Sequence, residues 1–236
     1  MINGMIESSR GCLKEEMRMD VISSNLANTN VVGFKKDRIS FQKLLQKADQ
    51  NGPVPALVTV KTDMEQGDVR STENTLDVAI VGRGFFKVLT PEGVLYTRKG
   101  NFDLDGDGNL ITQDGKTVLG VNGSINIQGK SIEIEADGII YADGIQTGQL
   151  DVVDFDDYEN LVKVGRGLFK NVSGNEIDKA PETIIRQGAL ELSNVNVAEE
   201  MISMIHSLRA FESYQKSIKA IDELNNQAIN QVGRLR

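Results

Sequence analysis

From Val197 to Arg234 the chain contains no proline and a single glycine, Gly233, while Met201, Met204, Leu208, Phe211, Ile218, Ile221, Leu224, Ala228, Val232 and Leu235 recur at steps of mostly three and four. That period predicts one amphipathic helix. At 1.5 Å per residue it would run for roughly 55 Å, too long for a compact domain of this size to cover. The other end repeats the pattern. Met5, Cys12, Met19 and Leu26 stand seven apart, Ile2, Ile6, Leu13 and Ile22 widen the same face, and Arg10, Lys14, Glu15 and Arg18 lie elsewhere. Two such helices packed on each other leave much of each apolar face open, so the remainder is expected to be buried against other chains.

Between the ends the texture changes. Residues 51–190 hold 19 of the 23 glycines and all four prolines, with short β-branched or alternating runs such as GFFKVLT, GVLYTRKG, NLITQDG and KSIEIEADG. Strands separated by glycine turns predict an all-β module. The expected fold class is therefore α+β: long N- and C-terminal helices in a coiled-coil-like bundle, with a central all-β domain inserted between them. The domains divide as 1–50 with 191–236 for the helical part and 51–190 for the β part, with a connector at 46–68. VGRGFFKV at 81–88 recurs as VGRGLFKN at 164–171; neither G-x-G precedes a helix, so both read as turns beside strands rather than phosphate loops.

Charge and cysteine content narrow the function. The net charge is −8, and residues 51–190 carry 22 acidic against 13 basic groups, a surface that repels nucleic acid. Cys12 and His206 are the sole residues of their types, which excludes zinc sites built from several such ligands and any internal disulfide. The N-terminal text MINGMIESSRGCLKEEM is interrupted by Glu7, Arg10 and Lys14 and does not read as a secretory signal peptide. No apolar run is long enough for a membrane span, so no membrane insertion is expected.

Three constellations could carry chemistry. In DLDGDGN, Asp103, Asp105 and Asp107 occupy positions 1, 3 and 5 of a possible calcium loop, with Gly108 at 6 and Asp114 at 12. The flanking YTRKGNF and NLITQDG read as strands rather than helices, which favours a hairpin tip and leaves calcium as the alternative. Asp156 and Asp157 could form a hydrolytic carboxylate pair, but neighbours in a strand point to opposite faces. A Cys12 and His206 dyad has no orienting group in view. No cofactor is expected.

After the first helical segment the chain reads NLANTNVVGFKK, Asn25 to Lys36. Physically this is a helix stop: Asn28 or Asn30 in the left-handed conformation at the C-cap, Gly33 in a tight bend, Phe34 anchoring the outgoing chain. The words NLAN and GFK, with Asn25, Asn28, Gly33, Phe34 and Lys35, resemble the bacterial flagellar rod and hook proteins. LELSNVNVAEEMISMIHSLRAFESYQKSI, from Leu190 to Ile218, is similar to the same family's C-terminal segment through Asn194, Asn196, Glu199 and Glu200. LDVAIVGRGFFKV, YTRKGNF and GNLITQDGKTVLG resemble its β-domain. One departure is visible: Val31 and Val32 stand where the family often has Thr or Ser before the glycine.

The resemblance implies a non-enzymatic structural subunit of the flagellar basal-body rod, made in the cytoplasm and exported by the flagellar type III apparatus without a cleaved signal. It implies partners among other copies of the chain and neighbouring rod and hook proteins, in a hollow shaft that crosses the periplasm, transmits torque to the hook and passes exported subunits. Met5, Cys12, Met19, Leu26, Met201, Met204, Leu208, Phe211, Ile218, Ile221, Leu224 and Val232 would then carry polymerisation. The chain's length disfavours hook, and the short connector favours the proximal rod over the distal rod. The rival readings are a secreted calcium-binding β-module with helical tails and a hydrolase with an acidic pair in the middle domain.

Overall fold

The computed structural model describes residues 2–42, 57–165, 167–172, 175–179 and 182–233. Helix α1 (Ile2–Ala27) and helix α2 (Val197–Gly233) enclose, in chain order, a long series of short strands and one 3-10 turn at Tyr158–Asn160. The chain divides into two compact units. One comprises Met1–Ala27, Asp37–Val60 and Asn196–Arg236; the other comprises Asn28–Lys36 and Lys61–Val195.

In the helical unit α1 and α2 pack against each other. Asp37–Gln42, inside the segment expected to be helical, is a strand paired with Leu57–Thr62, which lies in the expected connector. In DRISFQ the apolar Ile39 and Phe41 alternate with polar neighbours, and LVTVKT is rich in β-branched residues, both of which suit a strand and not a helix.

The β unit is antiparallel. Its main sheet runs Leu161–Lys163, Leu168–Asn171, Gly93–Thr97, Phe85–Thr90, Thr117–Gly120, Leu110–Thr112, Phe102–Leu104, with Val152–Phe155 also paired to Phe85–Thr90. A three-stranded meander, Ile132–Ile134, Ile139–Ala142 and Ile145–Gln149, adds a second layer. Successive side chains of a strand point to opposite faces, and the central strand uses this to build two cores. Phe86 joins Val78, Ile80, Val88, Phe102, Leu110, Val118 and Ile140 in the larger core. Phe85 joins Tyr96, Val153, Phe155, Leu161 and Phe169 in the smaller. The smaller core is aromatic, with the Phe85 ring 5.6 Å from Phe169 and 5.9 Å from Phe155 and Tyr96 edge-on to Phe155 at 4.9 Å. Such pairs add stabilisation beyond their buried area. The internal echo is structural: Gly82 and Gly84, and again Gly165 and Gly167, take positive φ immediately before a strand of the same sheet.

The expected left-handed cap at Asn28 or Asn30 is corrected. Among the described residues Asp143 alone has positive φ without being glycine. The helix is left instead through successive turns, Val31 N–H to Asn28 O at 3.1 Å and Phe34 N–H to Val31 O at 3.2 Å, and the reversal is deferred to Gly33 at φ +62°. The glycine is required there because a Cβ would lie 2.6 Å from the Arg98 carbonyl carbon.

Candidate functional site

Within the helical unit the pairing of α1 and α2 is antiparallel. A Cβ on Gly4 would lie 3.5 Å from Ile221, one on Gly11 would lie 2.5 Å from the Tyr214 ring, and Asn25 Nδ2 stands 3.5 Å from Glu200 Oε2. Each step along α1 is thus matched by an equal step back along α2. Gly11 lets the Tyr214 ring lie directly on the α1 backbone. Because α1 has 26 residues and α2 has 37, this register leaves Leu224–Gly233 beyond the end of α1, an extension of about 15 Å.

The buried seam consists of Gly11, Glu15, Ile22 and Asn25 on α1 and Ser207 on α2. The seven-spaced stripe of Met5, Cys12, Met19 and Leu26 flanks it, each residue partly buried, as are Met204, Phe211, Ile218 and Ile221. Met201, Leu208 and Leu224 are exposed, and the side chain of Val232 lies outside the described residues. One apolar face of α2 is therefore open. Val197, Met201, Ile205 and Leu208, spaced four, four and three, are 41 to 56 % exposed, and Ile202 adjoins them. On α1, Ile6, Leu13 and Met17 form a second exposed row. Val197, Ile202 and Ile205 escaped the period-based reading because residues 197–208 are apolar on two sides at once, and the stripe followed was only one of them; Met17, on α1, lies off the seven-spaced stripe followed there.

The polar motif residues have structural roles. Asn196 caps α2, its Oδ1 accepting the N–H groups of Ala198 at 3.1 Å and Glu199 at 3.4 Å. Glu199 and Glu200 lie in the first turn, where the helix dipole favours negative charge. Asn25 imitates a strand partner: its amide donates to Asp37 O and accepts from Asp37 N–H, both at 2.9 Å.

Within the β unit the remaining motif residues converge. Lys35 Nζ donates to Glu191 Oε1 at 2.6 Å and to Glu65 O at 2.7 Å, and the ammonium and carboxylate are almost completely buried. Arg98 reaches Glu191 Oε2 at 3.3 Å and Gly82 O at 2.7 Å. Burial pushes the Lys35 ammonium below its ordinary 10.5; Glu191 opposes that shift and the Arg98 charge adds to it. Phe34 is buried beneath Lys163, whose Nζ lies 4.2 Å from the ring centre and donates to Lys35 O at 2.8 Å. Asn194 accepts from Lys36 N–H at 2.7 Å and donates to Asp63 O and Glu65 O.

The chemistry-bearing constellations resolve differently. Phe102–Leu104 and Leu110–Thr112 form a hairpin. At its tip Asp105 accepts the N–H groups of Asp107 at 2.9 Å and Asn109 at 2.8 Å and the Asn109 side-chain amide at 2.9 Å. Asp103 accepts from Leu104 N–H at 2.8 Å. Among the described residues no group of three or more His, Cys, Asp and Glu side chains is arranged to hold a metal ion. Asp157 caps the 3-10 turn by accepting from Glu159 N–H at 2.8 Å, while Asp156 is exposed. His206 is exposed on α2, and Cys12 is a partly buried free thiol. No helix among the described residues is long and apolar enough to cross a membrane.

Comparison with known proteins matches three family profiles along the chain: flagella basal body rod protein at residues 14–35, flagellar hook protein FlgE/F/G D1 domain at 79–142, and flagellar basal body rod FlgEFG protein C-terminal at 186–231. The flagellar basal-body rod protein FlgG of Buchnera aphidicola subsp. Schizaphis graminum is 35 % identical over 95 % of this chain and 97 % of its own. FlgG of Bacillus subtilis strain 168 is 31 % identical over 98 % of this chain and 99 % of its own. The flagellar basal-body rod protein FlgF of Caulobacter vibrioides is 32 % identical over 92 % of each.

Proposed function

The chain belongs to the flagellar basal-body rod protein family, and on that premise we propose that its paired terminal helices polymerise it, with other axial proteins, into the shaft of the basal body. Members of the family are structural proteins, not enzymes, and this chain is a structural subunit of the basal-body rod. The observation that carries the assembly mode is the open face of Val197, Met201, Ile205 and Leu208 on α2, together with the exposed row of Ile6, Leu13 and Met17 on α1. Fully burying such a side chain contributes roughly 1.5–3 kcal/mol, so these half-exposed residues together retain several kcal/mol for a second interface. The overhang of α2 offers a further surface through Leu224.

Within this proposal the shaft is hollow, transmits torque to the hook and passes exported subunits. Export proceeds through the flagellar type III apparatus without a cleaved signal, a reading supported by residues 2–27 forming a structural helix with Glu7, Arg10 and Lys14 on it. The proximal rod is the favoured position, supported by the short connector at 46–68. The test is a strain carrying Met201→Asp together with Leu208→Asp. Both residues are exposed in the isolated subunit, so the purified variant is expected to keep its helical circular dichroism while rods and swimming are lost. Normal rods in that strain would refute the proposed interface, and electron-microscopic localisation of the tagged wild-type chain in basal bodies tests the axial position.

A further inference from the structure

We propose that Lys35, Arg98 and Glu191 form a latch that makes the docking of two chain segments, 31–36 and 189–195, a single event. The two segments hold each other reciprocally. Gly33 N–H donates to Glu191 O at 2.7 Å, Asn194 N–H to Phe34 O at 3.3 Å, and Lys36 N–H to Asn194 Oδ1 at 2.7 Å. The charges are shared in the same way. Lys35 comes from the first segment, Glu191 from the second, and Arg98, just after the strand Gly93–Thr97, and the Gly67 N–H, 3.1 Å from Glu191 Oε1, come from the chain between them.

Either half-docked state leaves buried polar groups without the partners they have in the closed state. With 189–195 absent, the Lys35 ammonium would keep one carbonyl, Glu65 O, and would face the like charge of Arg98 with Glu191 gone and only the lesser attraction of Asp63 opposing it. With 31–36 absent, Glu191 would keep Arg98 and the Gly67 N–H but lose its shortest partner, and Glu191 O and Asn194 Oδ1 would lose the donors Gly33 N–H and Lys36 N–H. Breaking a buried pair by removing one member is strongly unfavourable, whereas leaving both segments undocked returns both charges to water. The closed and fully open states are therefore favoured over the two between them. Lys35 and Glu191 are 156 residues apart, so closure also requires the intervening sheet to be in place. Space is equally restrictive: a Cβ on Gly67 would lie 2.2 Å from Leu192 O. In sequence, residues 28–30 separate α1 from the first segment and Asn196 separates the second segment from α2.

This inference is independent of the assembly reading and is tested on the full-length subunit in solution by hydrogen exchange with mass spectrometry. The readout is crossed: Lys35→Met is read on peptides covering 189–195, and Glu191→Gln on peptides covering 31–36. Each variant is expected to accelerate exchange in the distant segment by about tenfold or more, as much as in its own, while peptides from the central strand Phe85–Thr90 keep their protection. Asn194→Ala, which removes no charge, provides the second probe should a charge variant fail to fold, and it too should loosen 31–36 without loosening the central strand. Loosening confined to the mutated segment would overturn the latch, and so would uniform loosening of the whole β unit in the Asn194→Ala protein.

Discussion

Gly33 and Gly188 offer a controlled measurement of what the junction demands. Their backbones are nearly the same, φ +62° and +64°, so alanine meets the same left-handed strain at both, about 1–2 kcal/mol. Their surroundings differ. The alanine Cβ at 188 would meet only Thr72 O, at an ordinary 3.5 Å, whereas at 33 it would lie 2.6 to 2.7 Å from the Arg98 carbonyl group and the Lys99 nitrogen. Those are backbone atoms that cannot swing aside, and overpacking of this kind costs about 1–3 kcal/mol. Gly188→Ala is thus expected to destabilise by about 1–2 kcal/mol and Gly33→Ala by about 2–5 kcal/mol, combining the strain and contact terms. The effect of alanine on the unfolded chain is common to both and cancels in the difference. Urea unfolding followed by tyrosine fluorescence is suited to the comparison, because Tyr96, Tyr141 and Tyr158 lie in the β unit and the chain has no tryptophan. Asparagine tolerates the left-handed region, so Gly188→Asn should be milder than Gly188→Ala while Gly33→Asn stays costly. Equal losses at the two sites would refute the argument that space, rather than φ alone, selects glycine at Gly33.

A salt-bridged cluster on the main sheet predicts a pH profile. Burial alone would raise the Glu176 carboxyl, but hydrogen bonds from Lys87 at 2.6 Å and from the Tyr96 hydroxyl hold it below its ordinary 4.5. Burial opposes the Lys87 charge, yet Glu176 and Asp151 raise it above 10.5. The stabilisation should be present between these values, fade as pH falls below 4.5 through the depressed Glu176 titration, and fade as pH rises past 10.5 through the raised Lys87 titration. Melting temperatures of Lys87→Met against wild type across pH 3–11 should converge at the acid end; a constant gap would contradict the assignment. At the hairpin tip, Asp105 spends both carboxylate oxygens on Asp107 and Asn109, so millimolar calcium is expected to leave the melting temperature of the protein unchanged. A calcium-dependent rise abolished by Asp105→Ala would restore the metal reading.

Periodicity carried the elements further than it carried their partners. The stripe from Met201 to Leu224 located α2, but spacing alone could not distinguish Phe211 and Ile218, partly covered against α1, from Met201 and Leu208, left open. Both sets obey the same rule, and what separates them is the register set by Gly11 under Tyr214, a contact between distant residues. Similarly, GFK was legible as a bend with an anchor. Its larger role was not, because Lys35 acquires meaning only from Glu191, 156 residues away, which no motif or spacing singles out. The DLDGDGN turn was legible through its neighbours: strands on both sides dictate a hairpin whatever the acidic pattern suggests. Asn28 and Asn30 misled because left-handed asparagine is only one way to end a helix, and here a glycine a few residues later makes the reversal.

The unequal lengths of α1 and α2 have a mechanical consequence. A helix pair that ended flush would let stacked copies meet at flat seams, and a twisting load would concentrate on each seam. With Leu224–Gly233 projecting past its companion, end-to-end copies in the proposed shaft would interleave like staggered planks, so that each joint would be crossed by a continuous helix. In the proposed shaft, shear would be carried by covalent backbone as well as by side-chain contacts. Trimming that projection would weaken the shaft in torsion before it weakened the fold of any one subunit.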